Sequence, residues 1–260
     1  MHTAIPIEVR GRPIGGGKSP AICTPLVARR SDAILDELAA VLRKKPDLIE
    51  WRVDFFTGIA ETPVVIDIAR RIRAAAGETP ILFTRRSAVE GGEPIALTEE
   101  DAVRLYEAVC ESHCVDFVDF EMSNHLDHVH RVREVSRTQG VQMIASYHNF
   151  KETPPLDALL RRFAQVEELG ADIGKVAVMP NSADDVLTLL SATLQSSRRL
   201  TIPLISMSMG GYGSLTRMFG WVFGSALTFA VGANSSAPGQ VPIEDLDSVL
   251  AIMRKAIGSN

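Results

Sequence analysis

Apolar positions along the chain alternate between two rhythms. Short apolar and β-branched runs recur at 21–27, 48–53, 80–84, 115–121, 142–147, 170–180, 202–207 and 226–231. Such runs predict strands buried on both faces. Between them, apolar residues fall three and four apart, the helical period. Ile34, Leu35, Leu38, Val41 and Leu42 predict a helix over 32–42, with Ser31 as its N-cap. Further helices are predicted at 64–75, after Thr98, at 124–137 and 156–168, from Ser182, from near Ser214, and at 243–257. Thr98 reads as a cap, and Glu99, Glu100 and Asp101 suit the positive end of the helix dipole.

Before this alternation, 7–10 and 12–14 flank Gly11 and predict a small hairpin. Gly15-Gly16-Gly17-Lys18-Ser19 then imitates a phosphate loop. Arg12 stands where the first glycine is needed, no long strand precedes, and Pro20 follows where a helix should open. The stretch reads as a connector. Strand–helix units at spacings of about 25–35 residues predict an α/β chain, a (β/α)8 TIM barrel with a short N-terminal β-hairpin. One domain is expected over 1–260, with 1–20 as hairpin and connector. An open doubly wound sheet would carry a glycine fingerprint after its first strand, whereas Val27-Ala28-Arg29-Arg30 follows here.

Composition narrows the function. With 46% hydrophobic and 23% charged residues the chain can bury a barrel core. A net charge of −5 offers no basic field for nucleic acid or anionic membranes. No apolar run approaches the ~18 residues of a spanning helix. Met1-His2-Thr3-Ala4-Ile5-Pro6 lacks the features of a signal peptide. Cys23, Cys110 and Cys114 form no disulfide framework and read as reduced core thiols, so a cytoplasmic location is expected.

A barrel carries its chemistry at the C-terminal ends of its strands. Lys175, in the sixth run, is an ammonium in an apolar strand and expensive to desolvate. Burial lowers a lysine's pKa and frees its lone pair for imine formation. The other reading is a strand-end lysine that snorkels to water. Glu50 and Arg52 lie two apart and share a face, as mouth residues or as a structural ion pair. Arg85 and Arg86 precede Glu90-Gly91-Gly92 in a charged, glycine-bearing loop, and Asp119 and Glu121 share a face of the fourth strand. His148 ends the fifth strand beside the Lys175 strand, where an imidazole can move protons. His125, His128 and His130 open a polar helix, His113 lies between two cysteines, and His2 is terminal. None has the spacing of a metal site. The glycines of 210–213 can cradle an anion before a helix, and Arg217 can grip a carboxylate. Residues 234–240 read as a lid over the mouth or as a long loop.

Six motifs in this order resemble the type I 3-dehydroquinate dehydratases, the Schiff-base enzymes of the shikimate pathway. They are Glu50-Trp51-Arg52-Val53-Asp54, Phe83-Thr84-Arg85-Arg86-Ser87 with Glu90-Gly91-Gly92, Ser146-Tyr147-His148-Asn149-Phe150, Gly174-Lys175, Ser206-Met207-Ser208-Met209-Gly210 through Arg217, and Ser236-Ala237-Pro238-Gly239-Gln240. Two positions depart: Thr216 replaces the usual serine, and Pro25 stands where some relatives offer a hydroxyl. The resemblance implies syn elimination of water from 3-dehydroquinate to 3-dehydroshikimate by a homodimer, without metal or cofactor. It implies Lys175 as the imine-forming amine, His148 as the proton shuttle, and Glu90 as a partner that orients the imidazole and favours its charged form. Arg217 would hold the substrate carboxylate, and Glu50, Arg52, Arg86, Ser236 and Gln240 would hold the rest of the substrate. A class I aldolase is the enzymatic alternative, and a barrel that merely binds a small acid the non-enzymatic one.

Overall fold

The computed structural model describes residues 4–16 and 19–258. Met1 to Thr3, and Gly17 and Lys18 of the connector, lie outside the described residues. Eight parallel strands run β3 (Ala21–Leu26), β4 (Leu48–Arg52), β5 (Ile81–Thr84), β6 (Phe117–Glu121), β7 (Gln142–Asn149), β8 (Ile173–Val178), β9 (Leu204–Ser208) and β10 (Leu227–Phe229). From β3 to β9 each pairs with the next, and β10 pairs back onto β3. A parallel bridge between Leu204 and Ser225, with Ala226 N donating to the Leu204 carbonyl at 2.7 Å, brings the last edge together. The predicted barrel is the fold.

Alternation along each strand separates two cores. Outward residues such as Ile49, Trp51, Phe83, Val118 and Met143 pack under the helices. Inward residues Cys23, Leu48, Leu82, Phe117, Ile144 and Ile173 fill the lumen at the N-terminal ends of the strands. The predicted hairpin, β1 (Ile7–Val9) with β2 (Arg12–Ile14), closes that end, with Val9 and Ile14 in the lumen core. Its turn places both Arg10 and Gly11 at positive φ, 49° and 70°, the geometry that matches strand twist in tight hairpins. Arg10 holds this unfavourable conformation while its Nε donates to Asp116 Oδ1 at 2.6 Å.

The helices are α1 (Ser31–Leu42), α2 (Thr62–Ala76), α3 (Glu99–Glu111), α4 (Leu126–Thr138), α5 (Leu156–Glu168), α6 (Ala183–Ser197), α7 (Gly210–Phe219) and α8 (Ile243–Gly258). Thr98 caps α3 and Ser182 caps α6, the latter in a reciprocal capping box with Asp185. Two expectations need correction. Ser31 is not the cap of α1: it is already helical, and the N-cap position is held by Arg30, whose side chain pairs with Asp32. The helix expected from near Ser214 begins at Gly210, so its glycines lie within α7 rather than in a loop before it. Gly213 has no Cβ where the Ser208 carbonyl passes, and Thr216 Oγ1 accepts from Ser208 N at 2.9 Å. The turn out of β9 therefore tightens straight into helix.

Candidate active site

The same alternation lifts polar residues above the apolar lumen layer. Glu50, Thr84, Asp119, Ser146 and Lys175 occupy inward positions one step beyond Leu48, Leu82, Phe117, Ile144 and Ile173. Arg52, Glu121 and His148 lie one step further. Register sets the neighbours: Ser146 lies opposite Lys175, and Thr84 opposite Asp119. Of these side chains, Glu50, Arg52, Lys175 and His148 line a pocket at the barrel mouth whose walls also include Arg217, Ser236 and Gln240, with Thr84, Asp119, Ser146 and Glu121 behind them. The nine residues to which the resemblance gave a role all line this pocket, whereas Arg85 turns away to pair with Glu99.

Lys175 is 4% exposed and does not snorkel. Its Nζ donates to Asp119 Oδ2 at 2.8 Å and sits 4.6 Å from the centroid of the Phe229 ring. Asp119 Oδ1 accepts from Arg86 Nη2 at 2.7 Å and from Ser146 Oγ at 2.6 Å. Burial raises the Asp119 value, but Arg86 and Lys175 outweigh burial and hold it below the usual carboxylate range. Arg86 also reaches Glu121 at 3.0 Å and Ser146 Oγ at 2.9 Å. Burial pulls its value down, yet Asp119, Glu121 and Glu90 raise it overall. Gly92 makes this placement feasible, since a Cβ there would overlap the Arg86 carbonyl.

Glu90 Oε2 lies 2.9 Å from His148 Nδ1 and accepts from His148 N at 3.0 Å. Ser123 Oγ donates to the other oxygen at 2.5 Å. Burial, then the Glu121 charge, pushes the Glu90 carboxyl up to about 7 against the pull of Arg86 and Ser123. Burial, then Arg86 and Lys175, holds the imidazole well below its ordinary value. These surroundings, with Arg52 adding to the cations and Asp119 opposing them, favour the neutral imidazole, against the expectation that Glu90 favours the charged form.

Glu50 and Arg52 do not pair with each other. Glu50 accepts from Thr84 Oγ1 at 2.9 Å, while Arg52 grips Asp54 at 2.8 and 2.7 Å and donates to the Ser236 carbonyl at 3.3 Å. Gln240 Oε1 accepts from Ser236 N at 2.9 Å, and Gln240 Nε2 donates to Ser236 Oγ at 3.1 Å. Residues 234–240 thus lie tied across the mouth. Arg217 is 2% exposed, and its contacts are the Phe229 and Pro238 carbonyls and Met207 Sδ. Its buried Nε has no hydrogen-bond partner, and burial lowers its value to about 10. No carboxylate pairs with it among the described residues, so it is suited to an incoming one. Thr216 keeps the hydroxyl that joins β9 to α7, while Pro25 lies opposite Glu50 with no side-chain donor.

Sequence spacing placed Asp119 at the mouth but did not disclose its bond to Lys175 or the Arg86 bridge. Ser123 and Ser146 were missed as partners of Glu90 and Asp119; inward alternation two positions before His148 was the available signal for Ser146. Among the described residues no group of three or more His, Cys, Asp or Glu side chains is placed to hold a metal ion.

Residues 22–257 match the model of the family described as Type I 3-dehydroquinase. The chain belongs to the type I 3-dehydroquinase family. Within that family, the 3-dehydroquinate dehydratase of Albidiferax ferrireducens is 57% identical over 258 residues, 99% of this chain and 98% of the relative. The crystal structure of 3-dehydroquinate dehydratase from Geobacillus kaustophilus superposes with a TM-score of 0.95 at 48% identity, over 97% of this chain and 98% of that one. The type I enzyme of Clostridium difficile, described with covalently modified comenic acid, gives 0.93 at 35% identity, over 97% of this chain and 99% of that one. The 3-dehydroquinase family is one of hydro-lyases, and membership leaves the aldolase and the passive acid-binding barrel without support. No helix among the described residues is long and apolar enough to cross a membrane.

Proposed function

We propose that this chain removes water from 3-dehydroquinate, by syn elimination, to give 3-dehydroshikimate in the shikimate pathway, through a Schiff base on Lys175. The observation that carries this reading is one pocket at the barrel mouth lined by a buried amine, an imidazole held 2.9 Å from a carboxyl, and a buried arginine with no carboxylate partner among the described residues. The covalently modified ligand described for the Clostridium difficile relative supports covalent chemistry in this family.

Arg217 receives the substrate carboxylate, which removes the cost of its unpaired buried charge. The ring ketone then meets Lys175. The ammonium and the carbonyl become a protonated imine and one water, with the positive charge conserved on nitrogen. That imine draws electrons from the adjacent C–H bond. His148, neutral at rest, takes the proton through Nε2 while Nδ1–H faces Glu90. The resulting imidazolium returns its proton to the departing hydroxyl, and water leaves. Hydrolysis of the conjugated imine restores Lys175. Glu50, Arg52, Arg86, Ser236 and Gln240 hold the substrate's remaining polar groups and close the mouth. The chemistry draws on no metal or cofactor, because the lysine is the electron sink.

The same reading includes one domain over 1–260, a homodimer, and a cytoplasmic location suited to three free, buried cysteines. Incubation with 3-dehydroquinate should raise enone absorbance, and borohydride added during turnover should leave a covalent mass increase. Unchanged absorbance would overturn the elimination, and unchanged mass would overturn the imine. Light scattering should return twice the chain mass.

A further inference from the structure

We infer that Asp119 is a further catalytic group: the fixed counter-ion of the Lys175 nitrogen, which keeps the imine protonated and sets the plane of the bound ring. The inference rests on the Schiff-base reading above.

The geometry is specific. Asp119 is fully buried, and its two oxygens are divided between tasks. Oδ1 is held by Arg86 Nη2 at 2.7 Å and Ser146 Oγ at 2.6 Å. Oδ2 accepts from Lys175 Nζ at 2.8 Å. The carboxylate is thus clamped from one side and presented to the reacting nitrogen from the other. Three adjacent barrel strands and the loop after β5 fix it, so it cannot follow a moving lysine.

Imine formation changes what the nitrogen donates. The ammonium has three N–H bonds and the protonated imine one. The two protons lost leave with the ketone oxygen as water, and the charge stays at +1. With a single N–H left, the bond to Oδ2 fixes rotation about the Cε–N bond, and with it the plane of the C=N group. That plane decides which C–H faces His148, which lies on the same inward face of β7 as Ser146, the residue opposite Lys175. The Phe229 ring near Nζ limits the alternative orientation. A neutral imine is a poor electron sink, so retaining the N–H is a condition for the C–H step. The other charged groups of the lumen do not supply this. Arg86, Arg52 and Arg217 are cations that disfavour a second one, Glu121 is bound by Arg86, Glu50 is bound by Thr84, and Glu90 faces His148. Cys23 lies below, and burial, then the Glu50 charge, keeps its thiol protonated.

Asp119→Asn tests this. The variant should lower kcat on the order of a hundredfold, as loss of a preorganised charge does. It should leave KM nearly unchanged, because no substrate hydroxyl is assigned to Asp119. The alkaline limb of kcat should move to lower pH by about one unit or more. Borohydride reduces protonated imine, so the trapped yield should fall with rising pH in the variant before it does so in the native protein, and recover on acidification. Mere structural damage would lower kcat at every pH without moving the limb. An unmoved alkaline limb and an unmoved trapping profile in folded Asp119→Asn overturn the inference. Should that variant not fold, Ser146→Ala removes one clamp and keeps the charge; the same shifts in smaller measure support the inference, and none overturns it. A native protein that borohydride never traps overturns the imine reading itself.

Discussion

Glu90 Oε2 lies 2.9 Å from His148 Nδ1, and it also accepts from the backbone N–H of the same residue at 3.0 Å. One oxygen therefore fixes both the position and the tautomer of the imidazole. With Glu90 ionised, Nδ1 holds the proton and Nε2 remains a base toward the cavity.

That relationship has a pH signature. Burial raises the Glu90 carboxyl to about 7, so it gains a proton as pH falls through that value and no longer accepts from Nδ1–H. Turnover should decline on the acid side of about 7. Glu90→Gln should remove that inflection and lower kcat on the order of tenfold or more. A kcat profile from pH 5 to 9 reads both effects, and an inflection near 7 persisting in the variant would assign it to another group.

Lys175 and His148 should separate binding from chemistry. Lys175→Ala should lose the borohydride adduct and at least about 10⁴ of turnover, as loss of a covalent nucleophile does. His148→Ala should still form the adduct while turning over about 10²- to 10⁴-fold more slowly. Full turnover in His148→Ala would remove its role as proton shuttle.

Arg217 carries the substrate's charge in this scheme. Arg217→Lys substitutes a point charge for a planar fork and loses one arm of a bidentate grip. Binding should weaken by about 1.5–3 kcal/mol, the usual worth of a hydrogen bond to a charged group. KM should rise roughly ten- to a hundredfold with a smaller change in kcat. Because burial lowers the guanidinium to about 10, native KM should also rise as pH passes that value. Steady-state kinetics from pH 7 to 10.5 checks both; an unaltered KM would mean that the carboxylate binds elsewhere.

Ile14 lies at the opposite end of the barrel, fully buried against the lumen core. Ile14→Ala should cost about 2–4 kcal/mol of stability, the usual range for such a cavity. Polar chemistry starts one side-chain layer above, so kcat should stay at the native value. Urea unfolding and turnover measured on one preparation decide it. Lost stability with lost kcat would mean that the plug also shapes the mouth.

The sequence by itself determined the barrel and which residues of each strand share a face. These depend on local periods: Lys175 follows Ile173 by two positions, so both must point inward once the strand is covered on its outer face. Thr98 and Ser182 were legible as caps because a cap acts within one turn. The six motifs made the family legible as well. Tertiary structure alone decided how the inward charges are shared. Asp119 and Lys175 are 56 residues apart, and Arg86 reaches three carboxyl-bearing neighbours from a loop. No period encodes such meetings, because they depend on strand register and on where the loop falls. For the same reason the surroundings that set the charge of His148 were not legible in the sequence. A carboxyl partner is visible in a motif, whereas the burial and the cations Arg86, Lys175 and Arg52 that hold the imidazole low exist only in the folded barrel.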